Sequence, residues 1–162
     1  MKRFLIFLLC TALTLALCAC SESVNMSVLT EYQNGDFEAE LCLSFGGKEQ
    51  LCSLEKKEGR LFLRLRGLEK FTFALDENGA CIISGSTEIP LASEEIPLCE
   101  VYRLFSAPVA GTWKIEKSRP GGVSLYVCQG AGITLYIDAC SHLPLKIVSA
   151  GMEADVLSFK VK

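Results

Sequence analysis

Thiols, carboxylates and one imidazole are the groups with which this chain could do chemistry. Its 162 residues include nine cysteines, 19 aspartates and glutamates, and a single histidine. Any Ser/His/Asp or Cys/His site would have to use His142. That residue lies in Ser141-His142-Leu143-Pro144, which reads as a turn, so an exposed turn residue is expected and no enzyme. Glu94/Glu95 suits the start of a helix and Glu38/Glu40 the wet face of a strand, rather than paired acid/base work. No glycine-rich loop follows a strand and opens a helix, as phosphate binding requires. The cysteines show no CxxC spacing and no supporting histidines, so neither a metal site nor a cofactor is expected.

Cys10, Cys18 and Cys20 belong to a distinct N-terminal segment. Lys2 and Arg3 precede Phe4 to Ala19, which is apolar apart from Thr11 and Thr14 and runs into Ser21-Glu22-Ser23. A basic start, an apolar run and small residues form an export signal, shorter than the roughly 20 apolar residues of a membrane span. Leu17-Cys18-Ala19-Cys20 resembles the lipobox of bacterial lipoproteins. The resemblance implies diacylation of the Cys20 thiol, attachment to a membrane through those acyl chains, and a location on the outer face of the cell membrane. The expected division is 1–19 signal peptide, 20–35 lipidated N-terminus and tether, and 36–162 folded domain.

Six cysteines remain: Cys42, Cys52, Cys81, Cys99, Cys128 and Cys140. Their irregular spacing argues against a disulfide framework, and a free cysteine packs as a small hydrophobe. Cys42 and Cys52 flank Gly46-Gly47 and are close enough in sequence to pair, so their state stays open. The formal charge of −3, with Lys2 and Arg3 in the part removed, leaves an acidic domain. Nothing in it favours nucleic acid, which calls for a basic surface and aromatic platforms.

The positions of these residues follow from hydrophobic periodicity. Val24, Val28, Leu29 and Tyr32 fall on one face of a weak helix, stopped by Asn34-Gly35-Asp36. From Phe37 the period becomes two. Phe37, Ala39, Leu41, Leu43 and Phe45 alternate with Glu38, Glu40, Cys42 and Ser44, a half-buried strand, and Gly46-Gly47 makes a hairpin turn. Gln50 to Lys56 returns. Leu61, Leu63 and Leu65 then face opposite Arg60, Arg64 and Arg66, and Phe71, Phe73 and Leu75 alternate again. Ala80 to Ser84 is a fifth strand. The stretch 89–108 breaks the meander with a helix that starts near Pro97 and ends before Pro108. Its apolar face is Leu98, Val101, Tyr102 and Phe105. Strands at 113–117, 123–128, 133–138, 145–149 and 153–161 follow, joined by short turns. About ten strands in sequence predict a mainly β chain, a curved antiparallel meander forming an unclosed half-barrel covered by one or two short helices.

The order of elements, with Ile137-Asp138 followed after a turn by Leu143-Pro144-Leu145-Lys146-Ile147, resembles the LolA/LolB-type lipoprotein-carrier superfamily. With the lipobox and the cysteine usage, the Gram-positive branch, which includes the clostridial germination-type lipoprotein, is the nearer one. The resemblance implies a half-barrel with an apolar concave face covered by helices, used either for acyl chains or as a scaffold for protein partners. The candidate apolar cavity is Phe37, Leu41, Leu43, Leu61, Leu63, Leu65, Phe71 and Phe73. The candidate docking face is Arg60, Arg64 and Arg66, read as a patch for anionic headgroups, for which the plainer alternative is a solvated row paired with Glu38 and Glu40. The expected function is a non-catalytic envelope lipoprotein that binds or scaffolds a protein partner. The alternative is a lipid ligand held in the concave face.

Overall fold

The computed structural model describes residues 24–91, 97–106 and 111–162. The signal segment, Cys20, Glu94, Glu95 and Pro108 lie outside the described residues, as does the side chain of Leu98. Eleven antiparallel strands form one open sheet. They are β1 (Phe37–Phe45), β2 (Lys48–Lys57), β3 (Arg60–Leu65), β4 (Thr72–Asp76), β5 (Gly79–Ser84), β6 (Thr87–Leu91), β7 (Lys114–Ser118), β8 (Leu125–Gly130), β9 (Ile133–Asp138), β10 (Pro144–Val148) and β11 (Met152–Val161). The helices are α1 (Met26–Leu29) and α2 (Pro97–Ser106), with 3-10 turns at Glu31–Asn34 and Pro120–Gly122.

The spatial order is β6-β5-β4-β3-β2-β1-β11-β10-β9-β8-β7. Two meanders thus meet where the first strand pairs with the last, from Phe37↔Val161 to Phe45↔Met152. Gly46 and Gly47, with φ 53° and 76°, supply the two left-handed positions of the β1–β2 hairpin. Alternation along the strands sends one set of side chains to a single core. Phe37, Leu41, Leu43, Leu54, Leu61, Leu63, Leu75, Leu135, Ile137 and Ile147 are buried there. Helix α2 covers that face over β3, β4 and β5, burying Val101, Leu104 and Phe105 and half-burying Tyr102.

Two expectations are corrected. The meander does not break at 89: Thr87–Leu91 pairs with β5 as an eleventh strand. Pro90, which lowers the strand signal, is tolerated because β6 is an edge. The N-terminal stretch lies across the domain: Leu29, Tyr32 and Gln33 are buried and Val24 and Met26 pack on the core. Val28 does not share their face and is 41% exposed, because α1 lasts one turn before the 3-10 turn changes the period.

Candidate functional site

The apolar positions picked from the sequence do come together on the inner face, but as packed core. Phe37, Leu41, Leu43, Leu61 and Leu63 are fully buried, while Leu65 and Phe73 are half-buried. Phe71 is 41% exposed, because it precedes β4 and does not share its alternation. Four aromatic rings close the centre of this face. Phe37 lies 4.7 Å from Phe159, 6.4 Å from Tyr32 and 6.4 Å from Phe105, centroid to centroid, and Tyr32 lies 5.3 Å from Phe159.

Polar groups are buried beside these rings. Lys56, an inward position opposite Phe37, donates its Nζ to the Gln33 carbonyl, and burial lowers its pKa. Gln33 Nε2 donates to the Leu104 carbonyl at 3.3 Å, tying the N-terminal segment to α2. Gln33 Oε1 and the Tyr32 hydroxyl are buried without a hydrogen bond of good geometry. Burial also holds the Tyr32 hydroxyl well above its ordinary value of 10.0. A raised acid is lost from the folded state at a cost, so stability falls as pH climbs past that ordinary value. Cys52 and Cys128, pushed up to about 12 and about 11, act in the same sense from 9.0 upward. Tyr32→Phe should therefore stabilise the domain by about 1 kcal/mol at neutral pH and flatten the alkaline loss, read from urea midpoints of both proteins between neutral and alkaline pH.

Among the described residues, a depression lies on the opposite, polar face. A furrow of about 390 Å³ is lined by Glu38, Glu40, Ser53, Glu55, Arg64, Ser158 and Lys160, with Ala39, Leu54 and Phe159. A second depression of about 240 Å³ shares Glu40, Ser53 and Arg64 and continues to Leu65, Arg66 and Glu69. β11 bulges beside it: Glu40 faces Ser158 but Leu41 faces Val156, leaving Leu157 unpaired and 61% exposed. Such a bulge bends the strand and deepens the twist.

The arginine row divides along this face. Arg64 pairs with Glu55 at 3.7 Å and donates Nε to Thr72 at 3.3 Å. Arg60 lies between Asp76 (3.5 Å) and Glu88 (3.6 Å), over a separate depression of about 240 Å³ that also holds Cys81. Arg66 is exposed beyond the end of β3. Glu38 and Glu40 are not the ion-pair partners of these arginines; Glu38 binds Lys162 at 2.7 Å, and Lys162 also reaches Glu55 at 2.9 Å. The Lys162 ammonium holds the Glu55 carboxyl below the usual range. The furrow therefore offers alternating acid and base rather than one sign.

Among the described residues no nucleophile–base pair is assembled around His142. Asp138 Oδ1 accepts from Ser141 Oγ (2.9 Å) and from the backbone N–H groups of Cys140 (3.0 Å) and Ser141 (2.7 Å). The serine thus bonds the carboxylate directly, with no imidazole between them. His142 takes φ 56° in the turn, its ring 6.1 Å from Tyr126. These hydrogen bonds hold the Asp138 carboxyl below its usual range. Its contribution is present above the ordinary carboxylate pKa and is lost as pH falls through the lowered value. Asp138→Ala should cost about 1 kcal/mol, seen as a lower urea midpoint at neutral pH and little difference from the parent in acid.

Cys42, Cys52, Cys81, Cys128 and Cys140 are free thiols. Cys52 points inward opposite Leu41, whereas Cys42 pairs with Leu51 and points outward, so the two lie on opposite faces of the sheet. Among the described residues no cluster of histidine, cysteine or carboxylate side chains could hold a metal ion, and no helix is long and apolar enough to cross a membrane.

An open antiparallel half-barrel with its inner face packed and a charged furrow outside defines the class of protein. No known protein family matches the sequence, and no curated protein is significantly similar to it. Among solved structures, an uncharacterized conserved protein from Thermus thermophilus superposes with a TM-score of 0.52 at 15% identity, over 85% of this chain and 85% of that one. That likeness shows a shared fold. The Pseudomonas aeruginosa MucA/MucB complex gives 0.44 at 14% identity, over 82% of this chain and 54% of that one. MucB in complex with MucA(peri) gives 0.37 at 10%, over 85% and 56%. TM-scores of that size bear on neither fold nor function.

Proposed function

We propose that this chain is a non-catalytic lipoprotein of the cell envelope, anchored through Cys20, that binds a protein partner through the furrow on its outer face. The observation that carries the reading is the division of the two faces. The inner face is filled by the protein's own side chains from Phe37 to Ile147, while the furrow of about 390 Å³ is lined by acid, base and hydroxyl groups. Alternating charge on a rigid sheet suits orientation of a protein surface, whereas acyl chains need an open apolar cleft. The motif Ile137-Asp138 and Leu143-Pro144 fits the LolA/LolB-type reading, because Asp138 organises the turn between β9 and β10. Its Gram-positive branch is part of the same proposal, resting on the lipobox.

A photo-crosslinker placed at Ser158 tests this in cells. One discrete envelope protein should be captured, and Arg64→Glu should abolish capture while moving stability by less than about 1 kcal/mol, as exposed ion pairs do. Capture that survives Arg64→Glu would remove the furrow from the interface. Lipid retained in native mass spectra of the purified domain would favour the acyl-chain alternative instead.

A further inference from the structure

The point at which the anchor leaves the fold sets which face of the half-barrel meets the membrane. Tyr32 packs edge-on against Phe37 of β1 and Phe159 of β11, neighbouring strands at the middle of the sheet, on the inner side. Upstream of it Leu29 is buried, and Val24 and Met26 still pack on the same core. Only Ser21-Glu22-Ser23 separate Cys20 from Val24. Those four steps of chain span at most about 13 Å at about 3.3 Å per residue. The anchored end of the chain is therefore held within about 13 Å of Val24, which packs on the covered side.

We propose that the covered side of the half-barrel, at α1, rests against the bilayer, and that the outer furrow points away from it. The inference rests on the anchored reading given above. Val28, exposed beside buried Leu29, with uncharged Asn25 and Ser27 next to it, forms the contact. The boundary between headgroups and acyl chains offers such an exposed apolar side chain cover. The acidic net charge offers no attraction to anionic lipid, so proximity comes from the acyl chains and the short linker.

Brominated phosphatidylcholine vesicles carrying the full lipidated protein test the orientation. Trp113 is the single tryptophan, so V28W and L157W are each made in a W113F background. V28W should lose most of its emission to the bromines and L157W almost none. Quenching of L157W, or of neither, in vesicle-bound protein with a diacylated Cys20 overturns the orientation while leaving the anchor intact. Cys20 found unmodified by mass overturns the anchor and the orientation together. Should W113F fail to fold, hydrogen exchange on the parent protein reads the same surface. Vesicles should then slow exchange at residues 25–31 and leave 157–160 unchanged, and the reverse pattern overturns the proposal.

Discussion

Phe37→Ala should destabilise the domain by about 3–5 kcal/mol, the range for removing a fully buried aromatic ring. Phe37 is the one residue that touches every part of the centre: Tyr32 of the N-terminal segment, Phe105 of α2 and Phe159 of β11. Its neighbours belong to separate elements, each held in place by others. The cavity left by the ring therefore cannot close by a small shift of one of them. Urea unfolding of the variant measures the loss, and Phe71→Ala provides the contrast, because that ring is largely exposed and should cost under about 1 kcal/mol. Equal effects at the two positions would mean that the inner face is not a packed core, and the case for a partner on the outer face would weaken with it.

Gly130→Ala is the second large effect, about 1–3 kcal/mol from overpacking. A Cβ built on Gly130 meets Trp113 Cδ2 at 2.8 Å and the Thr112 carbonyl oxygen at 2.9 Å. The carbonyl cannot swing aside as a side chain can. Relief requires moving the backbone that leads into β7, the edge strand paired with β8 from Lys114↔Gln129 to Ser118↔Leu125. The loss should therefore be local, appearing as faster hydrogen exchange in β7 before the centre of the sheet responds. Unchanged exchange in β7 would show that Trp113 yields instead.

The alternation of Phe37 to Phe45 and of Leu61 to Leu65 was legible because those strands have one wet face. The helix at Pro97 was legible from the proline at its start and its apolar spacing, although Leu104, buried with Val101 and Phe105, lay off the expected stripe. Edge strand β6 was not legible: all but the last of its residues are exposed, so no buried face imposed a pattern and Pro90 argued against a strand. The outer furrow was only half legible. Arg64 and Arg66 announced a charged row, but their setting depends on the bulge opposite Glu40 and on Lys162, and nothing local records that the last residue returns beside the first strand. Tyr32 was legible on the apolar face of the N-terminal segment, but Gln33 could not be read as buried, since a one-turn helix followed by a 3-10 turn has no sustained period.

The pairing of β1 with β11 also bears on how the domain folds. Phe37 lies opposite Val161 and Lys162 donates its backbone N–H to the Asp36 carbonyl, so the central seam joins residues at opposite ends of the domain. Contacts of such sequence separation form slowly, because a long loop must close before they are gained. During synthesis the hairpins β1–β6 can form alone, but Phe37, Leu41 and Leu43 have no neighbouring strand on one side until β11 exists. The domain is thus held back from its native state until β11 has been made. The same delay leaves a sticky inner row without cover in the interval, and a holding chaperone would find its substrate there.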